Sequence, residues 1–207
     1  APFTLTGLSL LTAIEGALYD DQQVRRVPAA SAAIAAGRPE ALVQLPGLRA
    51  PPGASAWGLL YGALCASLTG DTVAAATAGV RPELVPFATV FADALVAQCA
   101  ALGVPAAAAD EAPAVSAVPT LVLTGEFDPI TPPEYGDLTA AHLSASHRFV
   151  LRGLGHTTLL QPQSAIAGFR TTCAMTLAGE FLDAPTLRPA DGCVDALPGA
   201  QFVTALP

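Results

Sequence analysis

The sequence predicts an α/β fold with parallel strands, and three observations carry that expectation. A short apolar run at Leu121–Leu123 is followed by the turn Gly125-Glu126-Phe127-Asp128-Pro129. A second run, Phe149–Leu151, leads into Gly153-Leu154-Gly155-His156, and the helix-opening signal Thr131-Pro132-Pro133-Glu134 lies between the two. Short apolar runs bounded by turn residues suit strands buried on both faces. A helix between two such runs makes a crossover, which joins parallel strands. In such sheets catalytic and ligand-binding groups gather beyond the carboxyl ends of the strands. Asp128 and His156 are expected there, 28 positions apart.

The remaining elements follow in order. Residues 4–45 read as two or three helices, because Leu8, Leu11, Ile14 and Leu18 recur at helical spacing, while Pro28 opens a later helix and Gly37 closes it. Pro46–Ser55 has linker composition, and the apolar run Trp57–Leu68, interrupted by Gly62, fits helix or strand. From Leu84 onward Phe87, Phe91, Leu95 and Cys99 form one apolar helix stripe with Pro86 in its first turn. Gly103–Val118, rich in Ala and Pro, is the expected boundary between a helical region, 1–115, and a strand-bearing region, 116–207. In the latter, Thr131 to Glu134 reads as a capping box opening a helix that runs to about Ser146. Ile166, Phe169, Cys173, Leu177 and Phe181 face one side of a final helix.

Composition excludes some functions. The net charge of −8 and the complete lack of Lys argue against a nucleic-acid partner, which needs clustered cations. Mean hydropathy is high, +0.51, yet every long apolar stretch is broken by Pro, Gly or a charge, so no membrane span is expected. Four cysteines permit two disulfides in an oxidising compartment. With no C-x-x-C and no His at ligand spacing, no metal site or other cofactor is implied, and buried free thiols stay open as the alternative to disulfides. The N-terminal residues carry no signal-peptide pattern, so an exported form would owe its signal to upstream sequence.

His156 is the candidate base. Histidine changes charge near neutral pH, so it can take a proton from a hydroxyl nucleophile and return it to a leaving group. Asp128 would hold the imidazole in the correct tautomer and stabilise the imidazolium. The plainer readings are a histidine in a glycine-rich turn and a carboxylate bonded to its own turn; the two residues together, each past a strand, favour catalysis. Glu126 is the competing acid. His142 and His147 read as surface residues on or just after the intervening helix, and the acidic residues of 1–115 as mostly solvated.

These residues resemble the C-terminal region of the secreted tripeptidyl aminopeptidases, a serine exopeptidase branch of the α/β-hydrolases related to the prolyl aminopeptidases. In that family a strand ending in G-x-x-D-x-x-T-P carries the acid, here Gly125, Asp128, Thr131 and Pro132. A later G-x-G-H carries the base, here Gly153, Gly155 and His156, followed by Cys173, the pair Phe181-Leu182, and Cys193. Cys65 and Cys99 match the cysteines of the family's helical cap, although Ser67 stands where an Asp is usual and no Trp follows Cys99.

The resemblance implies the C-terminal portion of an α/β-hydrolase fold: a helical cap or lid over 1–115, then the last two parallel strands with the triad Asp and His. It implies disulfides Cys65–Cys99 and Cys173–Cys193, an extracytoplasmic location, a peptide substrate and release of short peptides, tripeptides above all, from N-termini. The chain order Ser, Asp, His of that fold leaves a serine to be found, and it should sit in a Gly-x-Ser-x-Gly turn. No serine here has glycines at both offsets; Gly7-Leu8-Ser9 comes nearest, in a helical segment. The expectation is therefore that the nucleophile lies on an N-terminal half of the same enzyme and that this chain alone is inactive. An esterase, a prolyl aminopeptidase of the same fold, or a non-catalytic secreted interaction domain are the alternatives.

Overall fold

The computed structural model describes residues 4–45, 56–68, 72–104, 113–160 and 172–206. They form two compact units, Ala1–Arg49 with Pro113–Pro207, and Ala50–Ala112.

In the first unit, β1 (Thr120–Gly125) and β2 (Ser146–Leu151) pair in parallel, in register from Thr120 opposite Ser146 to Gly125 opposite Leu151. Both strands therefore end at the same edge. The alternation of side chains along β1 covers both of its faces. Leu121 and Leu123 pack into a core of Phe149, Leu151, Leu154, Cys173, Ala174, Leu177 and Leu197, to which α8 (Cys173–Asp183) contributes its buried face. Val122 and Thr124 instead face α7 (Pro133–Ala140), so closely that a Cβ on Gly136 would lie 2.8 Å from the Thr124 methyl. Arg148 ties β2 to the same helix, donating to the Pro133 carbonyl at 2.9 Å and to Asp137 at 3.0 Å. The strand–helix–strand expectation holds, but the intervening helix ends at Ala140, short of Ser146, and has no side-chain cap. The Thr131 hydroxyl is engaged elsewhere, as the site shows. Thr172 caps α8 by accepting from the Met175 N–H, and the short α9 (Gly192–Asp195) brings Cys193 to Cys173. Ile166 and Phe169, expected on that helix, lie outside the described residues.

The N-terminal helices α1 (Gly7–Ala17), α2 (Asp21–Val24) and α3 (Val27–Ala35) belong to this unit, not to a separate cap. The reason lies in the C-terminal tail. Leu206 packs with Ala17, Ala30 and Leu45, the Val203 N–H donates to the Arg25 carbonyl, and Arg25 Nε donates to the Gln201 carbonyl at 2.7 Å. Residues 1–49, expected with the helical region 1–115, thus group with the strand-bearing residues from Pro113 onward. Ser9 is a helix residue, its hydroxyl shared with Thr6 in the capping box of α1.

The second unit holds α4 (Trp57–Ala66), α5 (Thr72–Thr77) and α6 (Val85–Leu102), with the buried Cys65–Cys99 disulfide joining α4 to α6. The ambiguous run from Trp57 is thus helical. Phe91, expected on the buried stripe of α6, is half exposed and lies against Phe87; Ala92 takes the buried position instead. The helix ends at Gly103, whose φ of +63° suits glycine. By length and composition alone α6 is apolar enough to cross a membrane, although it carries Pro86 and Asp93.

Candidate active site

The ends of β1 and β2 bring Asp128 and His156 together. Nδ1 of His156 lies 2.9 Å from Oδ2 and 3.0 Å from Oδ1 of Asp128. An ionised carboxylate only accepts, so the proton of the neutral imidazole sits on Nδ1 and the basic lone pair is left on Nε2. The Asp128 side chain is 5% exposed and that of His156 29%, so the acid is enclosed while the imidazole reaches solvent.

Asp128 is held on all sides. Oδ1 accepts the N–H groups of Ile130 and Thr131, both at 2.9 Å, and Oδ2 accepts the Thr131 hydroxyl at 2.8 Å. This explains the missing helix cap: Thr131 faces back to the acid. Burial alone would raise the Asp128 carboxyl, but the Thr131 N–H, His156, the Ile130 N–H and the Thr131 hydroxyl together hold it below its ordinary 3.8. A depressed carboxyl contributes stability that is fully present above its unfolded value and is lost as pH falls through the folded one. Denaturant melts should therefore show wild type more stable than Asp128→Asn near neutral pH, with the gap closing below about pH 4. A gap unchanged into strong acid would contradict the pairing.

Two tight contacts fix the His loop. Glu126 accepts the N–H of Gly153 at 2.8 Å, stapling the turn after β1 to the turn after β2. It is Asp128, not Glu126, that reaches the imidazole. Gly155 is enclosed on two sides: a Cβ on Gly125 would run into the Gly155 carbonyl oxygen, and a Cβ on Gly155 into the Leu18 carbonyl oxygen. Gly153 needs φ of +76°, and Thr157, just after His156, adopts φ of +59°. A β-branched residue in the left-handed region is strained, and such strain collects at functional sites.

Sequence reasoning placed Asp128 and His156 at one sheet edge, as the structure does. It missed the Glu126 staple and the approach of Tyr19, whose ring stands edge-on to the imidazole with centroids 5.3 Å apart. Neither has a local sequence signal, since each depends on contacts between distant segments. Of the other histidines, His142 is exposed, whereas His147 lies in β2, partly buried against Phe181. Among the described residues no group of His, Cys, Asp and Glu is placed to hold a metal ion. The four cysteines are paired as Cys65–Cys99 and Cys173–Cys193, which is consistent with an oxidising compartment.

No curated protein and no solved structure matches the chain. The model of the family described as TAP-like protein matches residues 84–193, just over half of the sequence, a span that contains Asp128, His156 and three of the four cysteines. With that match over the segment that builds the Asp–His edge, the chain belongs to the TAP-like proteins, tripeptidyl aminopeptidase-like members of the α/β-hydrolases.

Proposed function

We propose that this chain is the acid- and base-bearing part of an exported serine peptidase that releases short peptides, tripeptides above all, from the N-termini of its substrates. The observation that supports this reading best is the bond between His156 Nδ1 and the enclosed Asp128 carboxylate at the carboxyl edge of parallel strands. His156 takes the proton of a serine through Nε2 and returns it to the leaving amine, and Asp128 stabilises the imidazolium formed between the two steps. The serine attacks the scissile carbonyl, expels the amine to form an acyl-enzyme, and water then releases the peptide. Serine and oxyanion-binding N–H groups come from an N-terminal half of the enzyme, because no serine of these 207 residues has the glycine neighbours of a nucleophile turn. Residues 50–112 are assigned the part of the cap. The two disulfides support an extracytoplasmic location.

Hydrolysis of tripeptide anilides with free and with acetylated N-termini, by the chain combined with the serine-bearing polypeptide, tests the reading. The free-amine substrates should be preferred by about a hundredfold or more, the size expected when a buried polar partner is lost. Cleavage of esters only, or of prolyl anilides only, would move the assignment within the fold; no cleavage of any would favour a binding role.

A further inference from the structure

A hydrogen bond at Nδ1 holds one end of an imidazole but leaves the ring able to swing about that bond. A general base needs its plane fixed as well, to within about 10–20°. The α1–α2 corner supplies a second hold on His156. The Leu18 N–H closes the end of α1 on the Ile14 and Glu15 carbonyls, and the Asp20 side chain opens α2 by accepting the Gln22 and Gln23 N–H groups. Tyr19 is thus set between two helix ends, and its backbone presses on Gly155, the residue before the base. Its hydroxyl bonds to Glu15, one turn earlier. Burial first, then the charge of Glu15, the bond to it and the charge of Asp128, push the phenol up to about 12, so it stays a donor to Glu15 throughout the neutral range. Its ring meets the imidazole at 73°, edge to face.

We propose that Tyr19 is a positioning residue for His156: held by the helix corner, its ring limits the swing of the imidazole about the Asp128 bond. The proposal rests on His156 being the base, and one measurement separates the two claims. In the chain labelled with 15N-histidine, the Nδ1–H proton of His156 gives a downfield resonance identified by its loss in Asp128→Asn. Its exchange with solvent should accelerate about tenfold or more in Tyr19→Ala and stay within about threefold of wild type in Tyr19→Phe, which keeps the ring. Should the Ala variant fail to fold, Tyr19→Leu, which refills the corner without an aromatic ring, is expected to show the same acceleration. Wild-type exchange in the folded Ala or Leu variant overturns the proposal alone, as does equal acceleration in the Phe and Ala variants, which would place the effect in the hydroxyl. Absence of the resonance from the wild-type chain overturns the Asp128–His156 pairing and the proposal with it.

Discussion

Asp128→Asn, in the chain combined with the polypeptide that supplies the serine, is expected to lower turnover of a peptide amide by about four orders of magnitude with the fold retained. The hydrogen bonds around Asp128 give the reason. Oδ1 takes the Ile130 and Thr131 N–H groups, so the remaining oxygen of an asparagine must stay there. Its NH2 then occupies the place of Oδ2, the nearer oxygen to His156 Nδ1 at 2.9 Å and 2.8 Å from the Thr131 hydroxyl, while the oxygen left 3.0 Å from Nδ1 is already shared with two backbone N–H groups. A donor facing Nδ1 drives the imidazole proton to Nε2, where the basic lone pair is needed. His156→Ala should remove nearly all turnover. Glu126→Gln keeps an oxygen for the Gly153 N–H and should change turnover only a few-fold. Near-normal activity in Asp128→Asn together with loss in Glu126→Gln would mean that the wrong carboxylate has been assigned.

Gly155→Ala is expected to cost about 3 kcal/mol of stability, the upper part of the usual range for an overpacked site, and most of the activity. The added methyl meets main chain rather than a flexible side chain: the Leu18 carbonyl oxygen, and the Tyr19 carbonyl carbon at 2.9 Å. Either the α1–α2 corner or the His loop must move, and the two surround His156. Gly58→Ala is the control, since nothing lies within 4 Å of the added methyl and glycine is a poor helix residue in α4. Equal melting of Gly155→Ala and wild type would show that the corner does not press on the loop.

Much of this arrangement was legible from local pattern. The two strands, the turns after them and the two residues they carry follow from apolar runs ended by Gly and Pro, although most strand residues are only partly buried, and Gly37 closes its helix as composition suggests. What was not legible depends on partners far apart in sequence. Thr131 carries the signature of a helix cap, yet its hydroxyl is drawn to Asp128, because a buried carboxylate rewards a donor more than an exposed helix end does. Residues 1–49 carry helical periodicity without any mark of what they pack on. The tail segment from Gln201 to Leu206, which binds them to the strand-bearing unit through Arg25 and Leu45, has no regular pattern of its own. Phe91 shows the limit of periodicity itself: a stripe at the right spacing does not say how wide the buried face of α6 is.

The most direct measurement is labelling with a serine-directed fluorophosphonate. The chain alone should take no label; combined with the N-terminal half it should give label on a serine outside these 207 residues, lost when His156 is changed to Ala. Label on a serine of this chain alone, or label indifferent to His156, would contradict the account.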